Sequence, residues 1–160
     1  MKKFLAIAGS ILLAVLLAFT TVFLVLKSKQ GDRETSAFVT DTINSISDGW
    51  HARELVARAE PGLIKAMSSH GQTLSELFSV YRKLGNLTTA PDCHLKDTSQ
   101  FEGTTDSYIT ASYSCEAEYD NGHATILITL RHGKTDTAWK VYYINVSSPY
   151  FSEIGYQPSK

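Results

Sequence analysis

The chain has no excess of basic residues, with 15 lysines and arginines against 16 acids over 160 residues, and no basic stripe interleaved with aromatics. The electrostatic footprint of a nucleic-acid binder is therefore missing. Also missing are a Gly-x-Ser-x-Gly elbow, a phosphate loop and a dinucleotide fingerprint. The histidines His51, His70, His94, His123 and His132 show no HExxH or short paired spacing. The two cysteines, Cys93 and Cys115, stand too far apart for a zinc knuckle. His123 reads as a turn-flanking polar residue and His70 as an exposed loop residue before a helix. No catalytic residue, metal ligand or cofactor is assigned, and the chain reads as a non-enzyme.

What is present begins with Phe4 to Leu26, 23 residues without a charge, flanked by Lys2 and Lys3 on one side and Lys27 and Lys29 on the other. At about 1.5 Å per helical residue this run spans a bilayer core of roughly 30 Å with some tilt. A cleavable secretory signal is the rival reading, but its apolar centre is shorter, and Ala6-Ile7-Ala8 and Ala18-Phe19-Thr20 are poorly placed for cutting. The expectation is a signal anchor with its flanks over residues 1–30, followed by one domain over 31–160. From Gly31 onward, 11 basic residues face 16 acids, a formal charge of −5.

The basic residues flanking the apolar run nearly balance, so charge alone does not orient it. The cysteines do better. If the run from about Asp92 to Gln100 folds back on Ser107 to Tyr119 about a turn near Thr104, Cys93 falls opposite Cys115. Two unpaired, buried thiols are the alternative. Disulfides persist in oxidising compartments. The pair thus favours a cytoplasmic N-terminus and an extracytoplasmic domain.

Helical periodicity comes first along the domain. Val39, Ile43, Ile46 and Trp50 share one helical face, and Ala52, Leu55, Val56 and Ala59 continue one until Pro61-Gly62 interrupts it. Thr73 and Glu76 form a capping box for a third helix bearing Leu74, Leu77, Phe78 and Tyr81, with Gly85 as its stop. After Asn86 the period drops to two. Ile109, Ala111, Tyr113, Cys115, Ala117 and Tyr119 alternate with polar residues, and Asn121-Gly122 signals a two-residue hairpin. That turn sets Ala117 against Ile126, Cys115 against Ile128 and Tyr113 against Leu130. A last strand from about Ala138 to Val146 adds Trp139, Val141 and Tyr143 to the same side. The expected class is α+β: the transmembrane helix, then about three helices on a four-stranded, twisted antiparallel sheet.

This order of parts, with the helix end Leu77-Phe78-Ser79-Val80-Tyr81-Arg82-Lys83-Leu84-Gly85 and the closing strand Trp139-Lys140-Val141-Tyr142-Tyr143-Ile144, resembles the nuclear-transport-factor-2-like, cystatin-like superfamily. It is similar in particular to small uncharacterised membrane-anchored bacterial envelope proteins. The resemblance runs from Thr35 to Ser148. It implies either isomerase- or dehydratase-like chemistry in a cone between helices and sheet, or a binding and assembly module. The enzymes' catalytic pairs have no counterpart here.

Two surfaces follow. Phe78, Tyr81, Tyr113, Trp139 and Tyr143, with Tyr119, would line a pocket for a small apolar ligand, or simply form the core. On the opposite sheet face, pairing Leu130 with Trp139 brings Leu127 beside Tyr142 and Ile144 next to Thr125, an apolar island suited to a protein partner or a homodimer. The tail from about Ser147 holds Pro149, Tyr150, Phe151, Ile154, Tyr156 and Pro158. Its prolines argue against a continuous helix and its aromatics for packing along the sheet or for recognition. A membrane-tethered binding or assembly module of the cell envelope is the leading function. A cone-pocket enzyme or carrier and a pilin-like subunit are the alternatives.

Overall fold

Apolar side chains recurring at helical spacing put Val39, Ile43 and Ile46 on the buried side of a helix over residues 32–47, here α1. The computed structural model describes residues 32–69, 73–104 and 106–156. The expected anchor, Phe4 to Leu26, and His70 lie outside them. Among the described residues no helix is long and apolar enough to cross a membrane. The described residues from Thr35 onward form one compact unit.

Past α1 the chain turns through Gly49 and Trp50, both at positive φ (65° and 51°). A tryptophan is held in that unfavourable region by its surroundings: it is buried, its Nε1–H donates to the Gly85 carbonyl at 2.9 Å, and its ring meets Phe78, Tyr81 and Tyr119. Helix α2, Ala52–Arg58, buries Leu55, whereas Val56 is exposed and does not continue the apolar face. Pro61-Gly62 starts a helix instead of only ending one. α3 runs Pro61–Ser69, with proline at the first helical position, where no backbone N–H is needed. Helix α4, Leu74–Tyr81, has the expected reciprocal capping box between Thr73 and Glu76. A 3-10 turn, Arg82–Leu84, follows it and ends at Gly85.

The sheet is antiparallel in the order β1 (Asp92–Glu102), β2 (Ser107–Tyr119), β3 (Gly122–Gly133), β4 (Lys140–Ser147). Its inner face carries Ala111, Tyr113, Cys115, Ala117, Tyr119, Ala124, Ile126, Ile128, Leu130, Val141 and Val146, all buried in one core with the helices. The fold is α+β, helices over one face of a four-stranded antiparallel sheet.

Three registers differ from expectation. The β2–β3 turn centres on Asp120-Asn121, so Ala117 meets Ala124, Cys115 meets Ile126 and Tyr113 meets Ile128. The cause is a moulded loop. Asn86 donates its N–H (2.8 Å) and Nδ2 (3.0 Å) to the Asp120 carboxylate, and Asn121 donates its N–H to the Leu84 carbonyl and Nδ2 to the Lys83 carbonyl. Because the slip is by two residues, every side chain keeps its face. On β4 the slip is odd. A bulge at Tyr142 leaves Leu130 opposite Val141 but places Thr129 opposite Tyr143 and Ile128 opposite Ile144. Trp139 precedes the strand. On the other side Cys93 pairs with Cys115 as expected, and a bulge at Lys96 shifts the rest of β1.

The tail forms a short helix, α5, Pro149–Glu153, again with proline in its first turn and Ser148 as N-cap. It drives Phe151 against Tyr81 and Tyr156 in the core, so the segment packs as a plug and not along a sheet edge.

Candidate functional site

Among the described residues, most of the side chains read as either pocket lining or core lie in the core. Phe78, Tyr81 and Tyr113 are buried among their neighbours, Trp139 is half-buried against the His132 ring, and Tyr143 is 47% exposed. Hydroxyls that would have polarised a pocket are matched pairwise: Tyr113 with Thr35 at 2.5 Å and Tyr119 with Ser47 at 2.8 Å, both latching α1 to β2. Burial pushes the Tyr81 hydroxyl up to about 12 and raises that of Tyr119, so both stay neutral hydroxyls in a packed core. Neither cleft described below is lined by any of these five residues.

The outer sheet face is built from the alternate residues of the same strands. By register its rows read Phe101 and Tyr108; Ser99, Thr110, Arg131 and Lys140; Asp97, Ser112, Thr129 and Tyr143; His94, Ser114, Leu127 and Asn145; Asp92, Glu116, Thr125 and Ser147; then Glu118 and His123. The expected island of Leu127, Tyr142 and Ile144 is not assembled there. Leu127 is 41% exposed but sits beside Asn145, and Ile144 turns inward against the core opposite Ile128. The bulge is the reason, since an odd shift exchanges the two faces of the strand.

A different cluster takes its place at one end of the face. The Phe101 and Tyr108 rings stack at 5.0 Å, and the Arg131 guanidinium lies 4.0 Å from the Tyr108 centroid and 5.6 Å from that of Tyr142. Arg131 is tied to Asp106 at 2.7 Å and Glu60 at 3.5 Å, which fixes it over the ring and more than offsets its charge. Phe101 and Tyr142 remain about half exposed. Two clefts flank this hairpin end. One, of about 660 Å³, is walled by Phe101, Tyr108, Ile109 and His132; the other, of about 430 Å³, is polar, with Glu60, Asp106, Arg131, Asp136 and Lys140 on its walls. Asp136 accepts from the Gly133 N–H and sits near Lys140, which together hold its carboxyl below the usual range.

The other end of the face is acidic. His123 lies between Glu116 (2.7 Å from Nε2) and Glu118 (3.0 Å from Nδ1), and the Glu118 hydrogen bond, helped by Glu116, raises its pKa. With both ring nitrogens against carboxylates, the imidazolium is the form that satisfies them. Among the described residues no group of three or more His, Cys, Asp or Glu is placed to hold a metal ion.

Phe101, Tyr108 and Arg131 were not singled out by sequence. Tyr108 stands on the polar side of the β2 alternation, and Phe101 reads as the start of a loose turn, so only the strand pairing joins them. Comparison with protein-family models, with curated proteins and with solved structures finds no match.

Proposed function

We propose that the chain is a non-enzymatic binding module, tethered to a membrane through Phe4 to Leu26, whose outer sheet face docks a partner protein in the cell envelope. The helix-over-sheet layering supports placing it with the nuclear-transport-factor-2-like, cystatin-like superfamily. The observation that carries the reading is the Phe101–Tyr108–Arg131–Tyr142 cluster, rings and a guanidinium held in place yet left open. Aromatic residues and arginine dominate interface hot spots, and here the guanidinium is already held over the ring by its ion pairs. Charge chooses the occupant. At the cluster Arg131 is outnumbered by Asp106 and Glu60, and the far end of the face presents Asp92, Glu116 and Glu118 beside His94 and His123. The partner is therefore a protein surface with an apolar side chain for the ring cluster and basic groups for the acidic end.

The test starts from co-purification out of detergent-solubilised membranes and continues with the recovered protein in purified form. Binding should weaken at least tenfold with Phe101→Ser plus Tyr142→Ser, and should fall as salt rises. A purified partner that binds this double variant as well as the native chain, or a face occupied only by another copy of the chain, overturns the proposal.

A further inference from the structure

The two sheet edges differ. At the start of β4, Ala59 makes a parallel bridge to Val141 and the Glu60 N–H donates to the Val141 carbonyl, so the segment after α2 pairs with that edge there. Along β1, an 11-residue strand, all residues but Cys93 are exposed. Long open edges are templates for another strand.

The direction of each β1 peptide group can be worked out. Cys93 and Cys115 have Cα atoms 4.0 Å apart, the close spacing of a non-hydrogen-bonded pair, so the Cys93 N–H and C=O point away from β2. Alternation along the unbroken β2 then makes Tyr113, Ala111 and Ile109 non-bonded toward β1 as well. Ser107, in the same phase, gives its carbonyl to the Lys134 N–H on the opposite side, as this phase requires. The partners of these residues are Leu95, Thr98 and Gln100, and the bulge at Lys96 keeps all of them in the outward set.

We propose that β1 pairs antiparallel with β1 of a second copy, about a two-fold axis between Lys96 and Asp97. This register sets Cys93 against Gln100 and Leu95 against Thr98, each with its backbone groups facing the partner. Residues of one face meet residues of the same face: His94 opposite Ser99 and Asp92 opposite Phe101 on the outer side. At the axis Lys96 of each copy meets Asp97 of the other, two reciprocal opposite charges. A self-pairing centred one half-step away, on Asp97, would instead oppose Asp97 to itself and Asp92 to Glu102. The bulge that would repel a regular foreign strand is matched by its own copy, because both strands carry the extra residue at the same place. The result is one continuous eight-stranded sheet. The edge is used, not the outer face, so this inference stands apart from the docking proposal.

The test uses the full chain in detergent, its mass read by light scattering over a range of concentrations. The native chain should be a dimer. Lys96→Asp should weaken dimerisation at least tenfold, because the like charges occur twice, and Lys96→Asp with Asp97→Lys should restore it. Thr98→Pro removes an outward N–H that does not bond to β2 and should abolish the dimer while the Cys93–Cys115 bridge still forms. A native chain that stays monomeric, a dimer that survives Thr98→Pro, or a charge exchange that fails to restore the dimer with the bridge intact overturns the pairing. Tyr142→Ser, on the far edge strand β4, should leave it within about threefold.

Discussion

Reducing the Cys93–Cys115 bridge should release β1 and leave the rest of the domain standing. The strand contributes almost nothing to the core: Cys93 is its single part-buried residue, while Leu95 and Phe101 are 40% and 49% exposed. It is held by its ladder to β2 and by one covalent link across a sequence separation of 22. In the chain-entropy model, closing a loop of that length is worth about 3 kcal/mol, which falls on the opening of the β1–β2 hairpin and not on the core. The thiol left at Cys115 sits fully buried among apolar neighbours and is tolerated there as a small hydrophobe. Hydrogen exchange on the full chain, oxidised and reduced, reads both regions at once. The amides of His94 and Asp97, which bond to β2 in the phase derived above, should exchange about a hundredfold faster after reduction, the equivalent of about 3 kcal/mol. Those of Ile126 and Ile128, in the β2–β3 ladder, should not change. Equal acceleration at Ile126 and Ile128 would mean that the bridge holds the whole fold. No acceleration at His94 would mean that the ladder alone is enough. Either result refutes the reasoning.

At Gly85 the backbone has φ +85°, and an added Cβ would lie 2.6 Å from Asp120 Cβ, so Gly85→Ala both strains the turn and displaces the carboxylate that receives Asn86. Denaturant unfolding should show a loss of about 2–4 kcal/mol, against about 1 kcal/mol for Gly155→Ala, where φ is +75° but nothing crowds the new atom. Equal losses would mean that the contact with Asp120 is unimportant. His123 gives the pH dependence. Its native pKa is raised above 6.5 by Glu118 and Glu116, so its stabilisation is complete below that unfolded value and is lost as pH rises through the higher native one. An NMR titration of the imidazole should have a midpoint above 6.5, and His123→Ala should flatten the thermal midpoint over this window; a native midpoint at or below 6.5 contradicts the assignment.

Which features were legible in the chain follows from where the local pattern holds and where it breaks. Period-two alternation marks the inner face of β2 from Ala111 to Tyr119 without the structure, and Cys93 opposite Cys115 follows from a hairpin count. Even the shifted Asp120-Asn121 turn did no harm to face assignment, since a slip of two is invisible to a pattern of period two. The interruption read at Pro61-Gly62 is present, but helix α3 beyond it was not read, because proline both ends helices and starts them, and Glu60 accepts from the N–H groups of Leu63 and Ile64 to start this one. Bulges leave no such mark in composition. The one at Tyr142 carries Tyr143 outward and Ile144 inward, dissolving the expected surface. The one at Lys96 re-aims the second half of β1, and with it Phe101 onto Tyr108. Both sites proposed for this chain depend on those single inserted residues: the ring cluster because the Tyr142 bulge brings that ring toward Arg131, the open edge because the Lys96 bulge makes it self-complementary and poor for a regular foreign strand. A bulge costs ladder hydrogen bonds, so the two bulges, one in each edge strand of the sheet, are where ladder stability is given up to re-aim side chains.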